Sequence, residues 1–182
     1  MIFEKVKFDY DFSVFLNADY SQHWGSCISY QKVEQADLHK KLATDGKFPD
    51  SFHEDNTRIR QLWFTADDVD YEAIGDQLGI DVKTISSILQ PPGNVVTLHR
   101  DMFFRFKKDY PDDPRPKVRA NIYLEDWQVG HVLQYRHNDE WVSDTHWKAG
   151  QGYTWDSDIL HLSCNAGLTD KYTLQVSGFL KD

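Results

Sequence analysis

The chain lacks the cysteine content that would define a disulfide framework or a cysteine-rich metal site. It has only two cysteines, Cys27 and Cys164, which lie far apart and outside any CxxC pair. Disulfide-dense proteins are mainly secreted or periplasmic, whereas a few unpaired thiols are typical of the reducing cytosol. We therefore predict free thiols and a cytoplasmic protein.

The chain also lacks long apolar runs and an excess of basic residues. No run approaches the length that spans a bilayer, and charges within the first five residues interrupt any signal-peptide core. The net charge is −9, so the basic surface typical of nucleic-acid-binding proteins is missing. A basic cluster at 105–108 is followed directly by aspartates, which indicates a solvated loop. We predict neither a membrane nor a nucleic acid as partner, and the composition leaves the oligomeric state open.

Aromatic residues are abundant, at 14% of the chain, and they favour half-buried sheet surfaces and pocket walls. The N-terminal half mixes strand and helix signals. Alternating or β-rich runs predict strands at 2–8, 24–33 and 57–64, and helical spacing predicts helices at 37–42, 67–79 and 82–89. Gly79 is the expected C-cap of one helix, and Pro91 stops the next.

The C-terminal half has a different texture. Six short β-like runs occur at 95–99, 119–125, 131–136, 152–156, 160–163 and 172–179, joined by Gly, Asp and Asn turns. Many short strands at such spacing are typical of a sandwich or barrel. The expected fold is mainly β and forms a single domain over 1–182. Its N-terminal α/β lead-in covers 1–92 and its β-barrel core covers 93–182.

One set of residues carries metal chemistry. His99 and Asp101 follow an apolar strand, and because they are two positions apart they point to the same side. His161 lies in another predicted strand and would complete a set of two histidines and one carboxylate. This ligand set is typical of non-haem Fe(II) oxygenases, since it leaves coordination positions open. An HxD triplet alone is weak evidence, because a strand-end histidine bonded to a surface aspartate gives the same pattern.

The surroundings of His161 add a more specific pattern. The segment contains, in order, Trp147, Gly150, Asp156, His161, Asn165, Gly167 and Lys171. With this spacing the sequence resembles the aspartyl/asparaginyl β-hydroxylase-like branch of the 2-oxoglutarate, Fe(II)-dependent oxygenases. The strand 119–124 is similar to that family's Arg-x-His strand. The resemblance covers roughly 93–179, about half of the chain, and the N-terminal half matches nothing.

The resemblance implies a double-stranded β-helix, also called a jelly-roll or cupin-like fold. His99, Asp101 and His161 would then bind Fe(II), and 2-oxoglutarate and O2 would be the co-substrates. Lys171 would hold the distal carboxylate of 2-oxoglutarate, helped by Thr173. The implied activity is hydroxylation of a C–H bond in a small-molecule or peptide substrate, for which an amino-acid side chain is the leading option.

Two positions depart from the family pattern. Lys171 replaces the usual arginine, and lysine lacks the planar fork that grips a carboxylate through two bonds. Asn121 replaces the family's histidine and keeps a hydrogen-bonding group, so we assign it to co-substrate binding. For Lys171, an exposed strand-edge lysine is the alternative interpretation.

Two further residues are assigned to substrate binding. Arg119 is interpreted as a pocket cation, against the alternative of a surface salt bridge to Glu125 or Asp126. His131, at a strand start, is ranked below His161 as a metal ligand and is expected to line the pocket.

Two hypotheses from other classes stay open. The chain could be a catalytically silent cupin-like ligand-binding module, for which the changes at Lys171 and Asn121 leave room. An intact set of His99, Asp101 and His161 argues against that reading. Alternatively, it could be a metal enzyme that does not use 2-oxoglutarate. Dependence of turnover on 2-oxoglutarate separates these hypotheses.

Overall fold

Two antiparallel sheets face each other in the computed structural model, which describes residues 1–21, 24–26 and 52–181. The strands are β1 Phe3–Lys7, β2 Trp24–Ser26, β3 Arg58–Phe64, β4 Ile80–Gln90, β5 Asn94–His99, β6 Lys117–Tyr123, β7 His131–His137, β8 Glu140–Asp144, β9 Gln151–Trp155, β10 His161–Asn165 and β11 Lys171–Leu180. The helices are α1 Ser13–Leu16, α2 Tyr71–Leu78 and α3 Phe104–Asp109, with a 3-10 turn at Glu54–Asn56. None of the helices in these described ranges is long and apolar enough to cross a membrane.

The chain crosses repeatedly between the two sheets. The major sheet has the order β1-β9-β6-β11-β4-β3-β2, and the minor sheet has the order β5-β10-β7-β8. From β4 onward, β4, β6, β9 and β11 therefore belong to the major sheet, while β5, β7, β8 and β10 belong to the minor sheet. This connectivity is that of a double-stranded β-helix, and the predicted fold class is confirmed.

The helix predicted at 82–89 is wrong, because these residues form part of strand β4. The spacing of Ile85 and Leu89 suits a helix, but the whole strand β4 carries five β-branched residues, which favour strands. β4 pairs with β11 on one side and with β3 on the other, and such a central strand is apolar on more than one face. β4 thus supplies the first of the eight barrel strands although it precedes residue 93.

The other local predictions had mixed outcomes. Helix α2 begins after Asp70, whose side chain accepts from Ala73 N at 2.9 Å, and ends at the predicted cap Gly79 with φ 66°. Strand β8 and helix α3 were missed, because both lie in polar stretches that read as loops. The helix predicted at 37–42 and most of the strand predicted at 24–33 lie outside the described residues.

The two faces of the major sheet have different chemistry. Its outer face is apolar and packs against the short helices through Phe15 of α1 and Ile74 of α2. Its inner face is directed at the minor sheet and combines an aromatic cluster around Tyr123, Tyr153 and Trp155 with polar side chains. The apolar core that stabilises the fold therefore lies on the outer face of the major sheet, and the inner face can carry a polar site.

A substitution of Leu174 tests whether the apolar core lies on the outer face of the major sheet. It is 0% exposed on the central strand β11, so Leu174→Ala leaves a cavity in the outer core and should lower the free energy of unfolding by about 2–5 kcal/mol. The matched control is Leu168→Ala, since Leu168 is 96% exposed in the turn before β11 and its change should cost less than about 0.5 kcal/mol. Urea unfolding measures both, and equal losses would contradict the assignment of the core.

Candidate metal centre

The three predicted ligands meet at the adjoining ends of β5 and β10. His99 ends β5 and pairs in register with His161, the first residue of β10. Asp101 follows His99 by two positions and reaches the same point. One ligand atom from each side chain lies within 4.8 Å of the others, and the imidazole ring centroids are 4.1 Å apart.

Each imidazole is held in the orientation that a metal ligand needs. Nδ1 of His99 lies 2.8 Å from the Thr97 carbonyl oxygen, and Nδ1 of His161 lies 3.1 Å from that of Ile159. A carbonyl oxygen only accepts hydrogen bonds, so each Nδ1 carries the proton and each Nε2 keeps its lone pair. Such backbone bonds fix the tautomer and the ring plane of a ligating histidine.

The third ligand, Asp101, is buried and firmly held. Its Oδ1 accepts from Arg119 Nη1 and its Oδ2 accepts from Trp155 Nε1 at 2.8 Å. Arg119 is fixed in turn by a 2.9 Å bond from Nε to Ser177 Oγ. The carboxylate therefore has a defined position beside His161, whose Nε2 lies 4.0 Å from Oδ2.

The protonation states suit a cation. Burial opposes the ionisation of Asp101, but the nearby Arg119 charge and the two imidazoles outweigh it, so the pKa of Asp101 lies below its usual value. Burial lowers the pKa of His161, and burial together with the neighbouring imidazole lowers the pKa of His99. At neutral pH the site therefore contains two neutral imidazoles and one carboxylate, which is the donor set of a facial triad. The residues fit a divalent metal such as Fe(II).

Lys171 is close to this centre and is buried rather than exposed at a strand edge. Its Nζ donates to Ser163 Oγ at 2.6 Å and to the Val132 carbonyl at 2.9 Å. Ser163 follows His161 by two positions on β10, so both face the barrel interior, about 7 Å apart along the strand. Burial lowers the pKa of Lys171 to about 7.

The other residues assigned to the co-substrate lie on the same inner face. Asn121 is buried on β6, and its Oδ1 accepts from Gln175 Nε2 at 3.1 Å. Among the residues that the structure describes, its Nδ2 has no hydrogen-bond partner. Thr173 is half-buried on β11, two positions from Lys171. Lys171, Thr173 and Asn121 therefore share one wall of the barrel.

Arg119 and His131 have different surroundings. Arg119 is neither a surface residue nor bonded to Glu125 or Asp126, because its charge is paired with Asp101. His131 is buried at the start of β7, where its Nε2 lies 3.1 Å from the Thr169 carbonyl. Tyr135, which pairs with His161, is four residues further along β7. The structure thus brings Arg119 to the metal ligands and leaves His131 roughly 13 Å away along the strand.

Sequence reasoning missed the bonds that support the carboxylate. Trp155, which the sequence pattern did not single out, donates to Asp101, and Arg119, which was expected to bind a ligand, donates to the same carboxylate. These bonds depend on cross-strand register, which the sequence does not reveal. Arg119 pairs with Trp155, so the two side chains are neighbours and both reach Asp101. Asp156, the aspartate that precedes His161 in the sequence pattern, binds the N-terminal segment: its carboxylate accepts a hydrogen bond from the backbone N–H of Ile2 at 2.5 Å.

No protein-family profile and no curated protein matches the sequence. Among solved structures, the chain is similar to a prolyl-4-hydroxylase from Pseudomonas putida, with a TM-score of 0.51 and 17% identity, covering 97% of this chain and 92% of that one. It is also similar to SnoK, a non-haem α-ketoglutarate-dependent carbocyclase from nogalamycin biosynthesis, with a TM-score of 0.55 and 12% identity, covering 96% and 78%.

These two similarities show the fold. One neighbour is a prolyl-4-hydroxylase and the other a non-haem α-ketoglutarate-dependent carbocyclase, and this chain has a His-Asp-His group whose geometry could hold a metal ion. They do not identify the aspartyl/asparaginyl β-hydroxylase-like branch, which stays a prediction from the sequence. The class supported here is a double-stranded β-helix protein with a candidate metal centre.

The buried histidines predict a pH dependence of stability. Because the pKa of His161 is lower in the folded than in the unfolded chain, the unfolded state binds more protons below about pH 6.5. The metal-free protein should therefore lose stability as the pH falls from about 7 to about 5. His161→Gln should reduce this slope by at most about 1.4 kcal/mol per pH unit, as measured by urea unfolding. The exposed His146 is the control, and a slope that changes equally in His146→Gln would refute the argument.

Proposed function

We propose that this protein is an Fe(II)/2-oxoglutarate-dependent oxygenase that hydroxylates a C–H bond. The observation that carries the proposal is the shared interior of His99, Asp101, His161 and Lys171. Three side chains with suitable ligand atoms converge within 4.8 Å, and a buried ammonium group from the facing sheet lies in the same interior. A 2-oxo acid with a second carboxylate fits this arrangement, since one end can reach the metal and the other the ammonium.

Each residue has a defined part in this proposal. His99, Asp101 and His161 hold the iron, and Arg119 and Trp155 keep Asp101 in place. Lys171 binds the distal carboxylate together with the Thr173 and Ser163 hydroxyls, and Asn121 Nδ2 donates to the metal-proximal end of the oxo acid.

The chemistry belongs to the bound groups, and the protein provides their positions. When iron and 2-oxoglutarate are bound, such a centre couples O2-dependent decarboxylation of the oxo acid to C–H hydroxylation, with succinate and CO2 as co-products. The buried rings of Tyr135, Tyr153 and Trp155 exclude bulk water from the interior. The charge of Arg119 offsets that of Asp101, which leaves the cation to be balanced by the co-substrate.

The proposed substrate is a small molecule or peptide, with an amino-acid side chain as the leading option from the resemblance. Arg119 is engaged by Asp101, so we propose that it acts on the substrate only indirectly, through the position of that ligand. A contact of His131 with substrate stays a prediction, and it would require a molecule that extends toward the Lys171 end of the barrel.

The direct test is an anaerobic titration of the metal-free protein with Fe(II) and 2-oxoglutarate, followed by visible absorption. A metal-to-ligand charge-transfer band is expected, and it should be absent in His99→Ala. Lys171→Met removes the charge without the bulk and should weaken 2-oxoglutarate binding by about 30-fold or more. The exposed Lys148 offers the matched control, since Lys148→Met should leave the band unchanged.

The outcomes separate the alternatives. Iron binding without a band would favour a metal enzyme that does not use 2-oxoglutarate. If neither iron nor 2-oxoglutarate bound to folded protein, the silent cupin-like module would be the better reading. If the charge-transfer band is observed, formation of succinate that depends on an added substrate would establish turnover.

The lowered pKa of Lys171 predicts a pH dependence of co-substrate affinity. The ammonium form binds the carboxylate and is present below the pKa of about 7 in the free protein. Affinity for 2-oxoglutarate should therefore fall as the pH rises above about 7, by up to about tenfold per pH unit. The same titration at several pH values measures this, and Lys171→Met should flatten the profile. A profile that is unchanged by Lys171→Met would exclude the ammonium as the anchor.

A further inference from the structure

A row of side chains crosses the inner face of the major sheet, away from the iron ligands. Cross-strand register aligns Asn121 of β6 with Gln175 of β11, Gln175 with Ser86 of β4, and Ser86 with Trp63 of β3. Because side chains alternate along a strand, all four lie on the face that also carries Arg119. The row leads from the proposed co-substrate site to the outer edge of the barrel.

The middle of the row consists of uncharged hydrogen-bonding groups. Gln175 Nε2 donates to Asn121 Oδ1 at 3.1 Å, and Gln61 Nε2 donates to Ser86 Oγ at 2.9 Å. Gln175 is half-buried, and within the described ranges its carboxamide forms no other side-chain hydrogen bond. Its Oε1 and second N–H are therefore available to a ligand that lies on this face.

The far end of the row is aromatic and opens into a cleft. Trp63 is 52% exposed, although apolar rings of this size are usually covered. A cleft of about 290 Å³ lies beside it, between α3 and the adjoining ends of β3 and β4, and Tyr110 forms part of its wall. Thr84, which also lines the cleft, pairs with Ser177, the residue that holds Arg119. The cleft therefore adjoins the inner face that leads to the metal centre.

The charges around this path are already paired. Lys83 lies 2.9 Å from Asp81, and Arg105 lies 3.5 Å from Asp109. Arg119 is paired with Asp101, as described above. The row and the cleft thus offer hydrogen bonds and an aromatic surface but no cation that lacks a counter-charge among these groups. A charged ligand would lose hydration there without gaining an opposite charge.

We propose that this row is the substrate subsite, and that it takes an uncharged carbonyl or amide compound with an aromatic ring. The carbonyl or amide group bonds to the Gln175 carboxamide, and the ring stacks on Trp63. Two strand spacings separate β11 from β3, so these groups are roughly 10 Å apart in the ligand. The inference rests on the proposed function only in assuming that the metal centre acts on the molecule bound here.

The test uses 6-phenylhexanamide, whose extended chain separates a neutral amide from an aromatic ring by roughly 10 Å, the two strand spacings, and the anion 6-phenylhexanoate as its charged counterpart. Isothermal titration calorimetry on the metal-free full chain measures both. The amide should bind more tightly than the anion. Trp63→Ala should weaken amide binding by about fivefold or more, since an aromatic pair is lost. Gln175→Leu should weaken amide binding and leave the affinity for hexylbenzene, which has no polar group, unchanged.

Two matched variants control for general effects. Trp141, on β8 at the edge of the minor sheet, is 51% exposed, so Trp141→Ala removes an equally exposed ring away from the row. Gln134 on β7 bonds to Ser143 at 2.8 Å, and Gln134→Leu should leave amide binding unchanged. The inference is overturned if 6-phenylhexanamide does not bind, if 6-phenylhexanoate binds more tightly, or if Trp141→Ala weakens binding as much as Trp63→Ala. Iron and 2-oxoglutarate are absent from this assay, so its failure is distinct from absence of the charge-transfer band.

Discussion

The site depends on keeping one buried carboxylate ionised and correctly placed. Asp101 would lose its charge in an apolar interior, because burial of an unpaired ion is costly. Arg119 supplies the counter-charge and Trp155 supplies a second donor, so the carboxylate stays anionic and its position is fixed. The two imidazoles can then remain neutral beside it. In these protonation states the three side chains form the donor set of two imidazoles and one carboxylate that suits a divalent cation.

The fold provides this arrangement because one face of the major sheet forms the apolar core and the other carries the polar side chains. The outer face of the major sheet packs Leu174 and its neighbours against the helices and provides most of the apolar core. The inner face is thereby free to carry polar residues, including Lys171, Asn121, Arg119 and Gln175. Functional groups on strands are held more rigidly than groups on loops, and here every proposed contact except Asp101 comes from a strand.

Local sequence signals failed where tertiary pairing determines the structure. The segment 82–89 has apolar spacing that suits a helix, yet it forms part of a strand because β3 and β11 bind both of its edges. Lys171 was open to interpretation as an exposed residue, and only the packing of β10 against β7 shows that its ammonium is buried on Ser163 and Val132. Arg119 was expected to contact a ligand, but the return of residue 101 over β6 gives it a carboxylate partner.

The sequence alone predicted the candidate ligand set of the centre and determined the class of the fold. Two-residue spacing fixes His99 and Asp101 on one side of a strand, and short β-like runs favour a barrel, since both depend on local geometry. Only the tertiary structure decided which supporting residues meet across strands: Trp155 with Arg119, and Gln175 with Asn121. The physical reason is that register between distant strands depends on packing and hydrogen bonding along whole edges, which no single segment of the sequence specifies.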